Sequence, residues 1–178
     1  EFLDSVNVNF DISLNKKVYI NRIEISGNTR TQDEVIRREI GISEGGLYSR
    51  TILRDSLLNL RRLGYFSDVQ ISTSEVIGLP DKIDISFNVE ETKTGAVSFS
   101  VSHSNNYGIS FGAGIQEKNI FGSGNTLNAE FKASESYNKI SFYFMNPNYN
   151  DAGHSISIGA FKSEINDDDV TKNSYEID

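Results

Sequence analysis

The sequence of 178 residues contains no cysteine and no tryptophan, and it has only two histidines and two prolines. Without cysteine the chain has no disulfide framework, no thiol nucleophile and no thiolate metal site. His103 and His154 lie far apart in the sequence, which leaves little room for histidine-based catalysis or a histidine-rich metal site. We therefore predict that the protein is not an enzyme and that it has no catalytic residues, no cofactor and no metal.

Basic residues and long apolar runs are also scarce. The chain has 17 Lys and Arg against 25 Asp and Glu, a formal net charge of -8. This balance argues against a nucleic-acid partner, because neutralising phosphates requires clustered Lys and Arg. No apolar stretch approaches the roughly 20 residues of a membrane-spanning helix. A helical membrane protein is excluded, but a β-type membrane protein is not, because its signal is alternation of apolar and polar residues.

Two stretches of different composition meet near Thr94. Residues 1–94 contain 12 Lys and Arg, 15 Asp and Glu, and 7 aromatic residues. Residues 95–178 contain 5 Lys and Arg, 10 Asp and Glu, and 12 aromatic residues. The first stretch resembles an ordinary domain with a charged surface, whereas the second is rich in aromatic residues and poor in basic ones. We place a domain boundary in the polar segment Glu90–Gly95.

Residues 15–92 have the pattern of one small α+β domain with the element order β-α-α-β-β. Alternation of apolar and polar residues predicts its three strands: about Val18–Ser26, Val69–Val76 and Ile83–Glu90. The run Val6–Ile12 alternates in the same way and stands alone before this domain. We therefore assign residues 1–14 to the end of a preceding domain.

Both helices of this domain have recognisable ends. Thr31, with a glutamate three residues later, fits a capping box, so the first helix is predicted to follow Thr31 and to end at Gly41. The second helix is predicted over about Arg50–Leu63, with Ser49 as N-cap and Gly64 as the C-terminal stop. Leucines recur along this second helix at the spacing of one buried stripe.

Residues 95–178 show no helix signal and contain five segments in which apolar and polar residues alternate. Each segment is about 7–10 residues long, near the length of a tilted membrane strand. One face is apolar with aromatic residues at the segment ends, and the opposite face is small or polar. About eight strands are needed to close a barrel. We predict antiparallel transmembrane strands of an incomplete β-barrel, with a soluble β-sandwich as the alternative.

The order of motifs along almost the whole chain resembles the BamA family of outer-membrane protein assembly factors, within the superfamily of POTRA-plus-β-barrel proteins. The residues that carry this resemblance are Ile23–Thr29, Val35–Glu39, Leu60–Phe66, Val89–Gly95, Gln116–Gly124 and Asn146-Pro147. The resemblance implies that residues 1–14 end a preceding POTRA domain and that residues 15–92 are the last POTRA domain. It further implies that residues 95–178 are the first five or so barrel strands.

The resemblance also implies a function, namely the non-enzymatic insertion of β-barrel proteins into the Gram-negative cell outer membrane, with the POTRA domain in the periplasm. The partners would be unfolded outer-membrane protein clients, accessory lipoproteins and the lipid bilayer. The docking candidates for lipoproteins are Arg37, Arg38 and Glu39, for which a solvated helix face is the alternative. The first barrel strand, with Val97, Phe99 and Val101, would form a lateral gate.

Two further functions stay open on the sequence alone. A two-partner secretion transporter also has POTRA domains before a barrel, but it exports a single cognate protein. A soluble periplasmic interaction module would bury the apolar face of its strands against a second sheet.

Overall fold

The computed structural model describes residues 17–105, 108–150, 153–167 and 170–177, which form two helices and nine strands. Strand β1 and helices α1 and α2 come first: Tyr19–Ser26, Asp33–Arg37 and Arg50–Leu63. Strands β2 to β5 follow: Phe66–Val76, Leu79–Glu91, Gly95–Ser104 and Gly108–Ile120. Strands β6 to β9 complete the order: Asn125–Ser134, Tyr137–Asn146, Ile156–Asp167 and Val170–Ile177. The predicted strand at Val6–Ile12, and with it the assignment of residues 1–14, lies outside the described residues.

The buried apolar core of the described residues lies in the N-terminal unit, residues 17–92, which has the predicted order β-α-α-β-β. Its three strands form one sheet in the order β1-β3-β2, with β1 parallel and β2 antiparallel to the central strand β3. Alternate residues of β3 point to one face of this sheet and are buried there, among them Ile85 and Phe87. The two helices supply Ile36 and Leu60 to the same core. Burial of this apolar face holds the unit together.

Helix α2 has the predicted bounds and the predicted caps. The Ser49 hydroxyl oxygen accepts a hydrogen bond from the Ile52 backbone N–H at 3.4 Å. At the other end Gly64 adopts a φ of 70°, a left-handed conformation that glycine adopts without steric cost. Between the caps, Leu53 and Leu60 are buried and Leu57 is partly buried against the core. The helix is therefore specified locally at both ends and by one apolar stripe.

Helix α1 differs from its prediction at both ends. Its N-cap is Gln32 and not Thr31, no side chain caps it, and it ends at Arg37 and not at Gly41. Thr31 is only 3% exposed, and its hydroxyl oxygen accepts a hydrogen bond from the Asn119 amide at 2.9 Å. The capping-box prediction was wrong because a residue far along the chain occupies the hydroxyl that would have capped the helix.

The second part of the chain forms a six-stranded antiparallel sheet in the sequential order β4 to β9. Five alternating segments were predicted, and the sixth strand, Val170–Ile177, was missed. Its apolar residues do not recur at every second position, so period-two alternation could not reveal it. Asn105, which follows β4, lies in a turn.

Within the described residues, neither helix is long and apolar enough to cross a membrane.

Two leucines of helix α2, one buried and one exposed, allow a test of how the core of the N-terminal unit contributes to stability. Leu60 is completely buried, whereas Leu58 is 42% exposed. We expect Leu60→Ala to lower the free energy of unfolding by about 2–5 kcal/mol, because it removes buried methyl groups and leaves a cavity. The control Leu58→Ala should change it by about 0.5 kcal/mol or less. Urea unfolding followed by far-ultraviolet circular dichroism measures both, and equal effects would contradict this packing.

Candidate functional site: the open sheet edge and the junction beside it

Strand β4 lies at one edge of the six-stranded sheet and pairs on one side only, with β5. The three residues predicted for a gate strand all lie on it. Val97, Phe99 and Val101 are 64%, 83% and 70% exposed. Side chains of this size are normally buried, so a contiguous exposed set marks a surface that binds something apolar.

The hydrogen-bonding phase of β4 decides which of its backbone groups are free. The Lys118 N–H donates to the Thr94 carbonyl at 3.3 Å, which makes this opposed pair a hydrogen-bonded one. Hydrogen-bonded and non-hydrogen-bonded pairs alternate along an antiparallel ladder, and the β4–β5 register has no shift. Val97, Phe99 and Val101 are therefore at non-hydrogen-bonded positions. Their N–H and C=O groups point away from β5, toward the open edge.

The exposed side chains of β4 continue onto the neighbouring strands as a mainly apolar face, which carries Lys162 where the row of Phe99 reaches β8. The register aligns a row of side chains from one strand to the next: Val97, Ile115, Ala129, Phe142, Ala160 and Ile177. The neighbouring row on the opposite face is small or polar from β4 to β7, with Ser98, Gly114, Glu130 and Ser141, and it reaches Phe161 on β8. In the part of the chain that the structure describes, no second sheet packs on the apolar face.

The turn between β5 and β6 contacts the loop that leads into helix α1, and this contact joins the two parts of the chain. The Gln32 N–H donates to the Gly122 carbonyl at 3.0 Å, and the buried Asn119 amide donates to the Thr31 hydroxyl. The Asn119 side chain also accepts from the Gly124 N–H at 2.7 Å. A β-carbon on Gly122 would overlap the Arg30 carbonyl, so only glycine permits this close approach.

The carboxylate of Glu91 fixes the other side of the same loop. It accepts from the Thr29 hydroxyl at 2.8 Å, from the Arg30 N–H at 2.9 Å and from the Thr31 N–H at 2.6 Å. Partial burial raises the pKa of Glu91, but the hydrogen bonds from Thr31, Thr29 and Arg30 outweigh it and lower the pKa to about 2. Glu91 therefore links the end of β3 to the loop that contacts the six-stranded sheet.

Tyr65 provides a third connection across the junction. It lies just after helix α2, and its hydroxyl donates to the Gly124 carbonyl at 3.2 Å. Burial raises the pKa of Tyr65 above its ordinary value, with Arg38 opposing the shift. The hydroxyl thus stays protonated and remains a donor to the turn.

The three charged residues predicted as docking candidates face different surroundings. Arg37 is half exposed, and its guanidinium lies 3.6 Å from the Asp33 carboxylate. Arg38 and Glu39 form an ion pair at 3.7 Å and are largely covered. A β-carbon on Gly124 would overlap the Arg38 guanidinium, which places Arg38 against the β5–β6 turn. Arg37 thus lies on the outer surface, while Arg38 lies at the junction.

Two junction residues were not singled out from the sequence. Asn119 was named only within the segment Gln116–Gly124, and Glu91 only within the polar boundary segment Glu90–Gly95. Asn119 is 5% exposed, although the sequence around it is polar and rich in glycine. Its burial depends on a contact between segments 88 residues apart, and no local pattern carries that information.

Among the described residues, no three His, Asp or Glu side chains are grouped closely enough to hold a metal ion.

The Glu91 carboxylate predicts a defined pH dependence of stability. Its pKa is lowered to about 2 in the folded state, so its contribution is complete above about 4.5 and is lost as the pH falls from there to about 2. We expect Glu91→Gln to lower the free energy of unfolding at neutral pH by about 1 kcal/mol, since solvent partly screens the carboxylate. The deficit should shrink over the same acidic range. The neighbour Glu90, which is exposed, provides the control Glu90→Gln. A deficit that does not change with pH would contradict this role.

Comparison with known proteins gives a family for the first part and relatives for nearly the whole chain. Residues 18–92 match the family model described as POTRA, surface antigen variable number repeat. Outer membrane protein assembly factor BamA of Neisseria meningitidis serogroup B is 33% identical over 148 residues, 82% of this chain and 18% of that protein. The protein of the same name from Nitratidesulfovibrio vulgaris is 33% identical over 171 residues, 95% of this chain and 21% of that protein.

A solved structure shares the fold. The crystal structure of BamA from Haemophilus ducreyi lacking POTRA domains 1-3 matches 90% of this chain and 31% of that chain, with a TM-score of 0.80 and 24% identity. The chain spans about a fifth of the length of the two curated relatives. Residues 18–92 are thus a POTRA domain, and the chain as a whole is a relative of the outer membrane protein assembly factors named BamA.

Proposed function

We propose that this chain takes part in the assembly of β-barrel proteins in the Gram-negative cell outer membrane, without enzymatic chemistry. The observation that carries the proposal is an open strand edge whose free backbone groups and exposed apolar side chains occur on the same residues, Val97, Phe99 and Val101. An unfolded client is an extended chain with unpaired backbone groups, and such an edge is its complement. The names of the relatives at 33% identity favour assembly over the export of a single protein.

In this proposal the six-stranded sheet lies in the lipid bilayer and the POTRA domain lies in the periplasm. The ten residues of β4 extend about 34 Å, and a tilt of about 45° reduces this to about 24 Å, close to the height of the apolar band of a membrane barrel. The uncovered apolar face supports lipid contact over a soluble interaction module, whose strands would need a second sheet. We interpret residues 18–92 as the last POTRA domain before the barrel strands.

Strand β4 acts in this proposal as a lateral gate that receives client strands. Backbone groups left unpaired within lipid cost several kcal/mol each, so a client strand that pairs with them gains a substantial driving force. The side chains on the opposite face of β4 are small: Ser98 and Ser100 face glycines on β5, and the Ser102 hydroxyl forms a hydrogen bond with the Ser110 hydroxyl at 2.7 Å. The POTRA domain would hold clients beforehand by adding an extended segment to an edge of its own sheet.

Accessory lipoproteins are the second class of partner in the proposal. Arg37 is the most exposed of the three charged residues on and after helix α1, with a side chain 46% exposed, and Glu39 follows with a side chain 29% exposed. Arg38 is less exposed than Glu39, and it connects Glu39 to the junction because it pairs with Glu39 and contacts the β5–β6 turn. A partner that binds Glu39 would therefore touch a residue directly coupled to the junction between the POTRA domain and the strands.

The membrane placement can be tested with single tryptophans, because the chain contains none. Phe99→Trp puts the probe on the apolar face and Ser100→Trp puts it on the opposite face of the same strand. In phosphatidylcholine vesicles we expect the emission of Phe99→Trp to shift to shorter wavelength and to be quenched by lipids brominated on their acyl chains. Emission of Ser100→Trp should remain that of a water-exposed indole. Equal quenching of the two variants would contradict a bilayer contact on one face.

The gate can be tested by proline substitution at the open edge. Val97→Pro with Val101→Pro removes two N–H donors that face the edge, and it leaves the hydrogen bonds to β5 in place. In vesicles that contain this chain, we expect an unfolded outer-membrane β-barrel protein to fold faster than in empty vesicles, and the double proline variant to lose that acceleration. Gel mobility of the unheated client measures the folded fraction.

The matched control for this experiment is Val97→Ala with Val101→Ala, which shortens the same side chains and keeps both N–H groups. It should retain most of the acceleration. Equal losses in the alanine and proline variants would assign the effect to the side chains and contradict strand pairing. Full acceleration with the prolines in place would contradict the gate.

A further inference from the structure

The sheet of the POTRA domain has two edges, formed by β1 and β2. The proposed function requires an edge that can accept an extended client segment, and an inference about these two edges rests on that function. The two edges differ in how their outward-facing backbone groups are satisfied. That difference decides where a client segment can be added.

The first half of the β1 edge is covered by backbone from the loop before helix α2. The Ile20 N–H donates to the Gly46 carbonyl at 2.9 Å, and the Ile20 carbonyl accepts from the Gly45 N–H at 2.7 Å. Just before the strand, the Val18 carbonyl accepts from the Tyr48 N–H at 2.8 Å. A loop laid along the edge in this way occupies the positions that an added strand would use.

In the middle of the β1 edge, two charged side chains cover the outward backbone groups of Ile23. The Ile23 N–H donates to the Glu44 carboxylate at 3.0 Å, and the Ile23 carbonyl accepts from the Arg37 guanidinium at 3.4 Å. An anion thus satisfies the donor and a cation satisfies the acceptor of a single residue. Asp33, 3.6 Å from the Arg37 guanidinium, holds that guanidinium in position. Both outward groups of Ile23 are unavailable to an incoming strand while these contacts hold.

The β2 edge is open over its second half. The Thr92 N–H donates to the Tyr65 carbonyl, so alternate residues of β3, including Ser86, direct their backbone groups to β2. Ser86 is opposite Ser72, and the residues on either side of Ser72, Ile71 and Thr73, therefore point their backbone groups outward. Among the described residues no hydrogen bond outside the sheet involves these backbone groups. The Asp68 carboxylate covers the Val69 N–H, which marks where the open segment begins.

We propose that Arg37 and Glu44 close the β1 edge of the POTRA sheet and so direct extended client segments to the β2 edge, from Ile71 to Glu75. The two side chains determine which edge a client segment can use, because they occupy the N–H and C=O groups of Ile23 and prevent these groups from pairing with an added strand. Arg37 then has a role within the domain in addition to any contact with a partner. Because this part of the closure consists of movable side chains, removing them should free the outward groups of Ile23 without removing any strand.

Cysteine cross-linking tests this inference cleanly, because the chain has no cysteine of its own. Glu24 on β1 and Ser72 on β2 are both opposite Ser86, so Glu24→Cys and Ser72→Cys place a thiol at the same level on the two edges. The probe is a synthetic peptide with the sequence of residues 125–134, carrying A129C with its thiol activated as a mixed disulfide. Its residues alternate between apolar and polar, as in a client strand.

We expect the Ser72→Cys protein to form the disulfide with this peptide about tenfold faster than the Glu24→Cys protein, since hydrogen bonds to charged groups must break at the β1 edge. Mass spectrometry of the full chain in detergent micelles measures the initial rates. A peptide with prolines at alternate positions cannot pair with an edge and corrects for intrinsic thiol reactivity. Adding Arg37→Ala and Glu44→Ala to Glu24→Cys should bring its rate to within about threefold of that of Ser72→Cys, because the two outward groups of Ile23 are then free to pair.

Two further variants serve as controls. Glu44→Gln retains an oxygen that accepts from Ile23, so with Arg37 present it should leave the β1 edge closed. Ser72→Cys combined with Arg37→Ala and Glu44→Ala should react at its original rate if the domain remains folded. A slow Glu24→Cys rate after both side chains are removed, with this folding control intact, would overturn the assignment to Arg37 and Glu44.

The remaining outcomes separate the closure from the proposed function. Equal rates at the two edges with Arg37 and Glu44 in place would overturn the closure and leave strand addition intact. No reaction above the proline peptide at either edge, even without the two side chains, would overturn strand addition to the POTRA domain, and the proposed closure with it.

Discussion

Three hydrogen-bond donors around the Glu91 carboxylate hold the loop between β1 and α1 in the shape that the rest of the molecule depends on. That loop is fixed on one side to the end of β3 and presents Thr31 and Gln32 to the β5–β6 turn on the other. A carboxylate that receives several backbone N–H groups is a strong and directional anchor. Because Glu91 lies only four residues before β4, the same anchor sets where the first strand of the second sheet begins.

The open edge of β4 follows from this arrangement together with the ladder. Once the Thr94 carbonyl accepts from Lys118, the alternation of an antiparallel pair fixes the direction of every later backbone group on β4. The residues whose side chains point to the apolar face are the same residues whose N–H and C=O groups point to the open edge. One register thus puts the proposed lipid contact and the proposed strand pairing on Val97, Phe99 and Val101.

The two edges of the POTRA sheet differ in how far other parts of the chain cover their backbone groups. Its β1 edge is covered first by a loop and then by Glu44 and Arg37, whereas β2 is open beyond Val69. Covering an edge with a loop or with charged side chains is a common protection against unwanted pairing. In the proposed function, this difference would leave β2 as the edge to which an extended segment adds.

Local patterns in the sequence determined the helix Arg50–Leu63 with its caps Ser49 and Gly64, the β-α-α-β-β order, and most of the alternating strands. These features depend on residues within a few positions of each other, where spacing and backbone preference act directly. Only the tertiary structure decided the hydrogen-bond partner of the Thr31 hydroxyl, the burial of Asn119, the contacts of Glu91 and Arg37, and the strand Val170–Ile177. The first four depend on partners distant in sequence, and the last is held by pairing with β8 without an alternating pattern of its own. Alternation specifies the face on which a side chain lies, but the register between strands decides which backbone edge is left free.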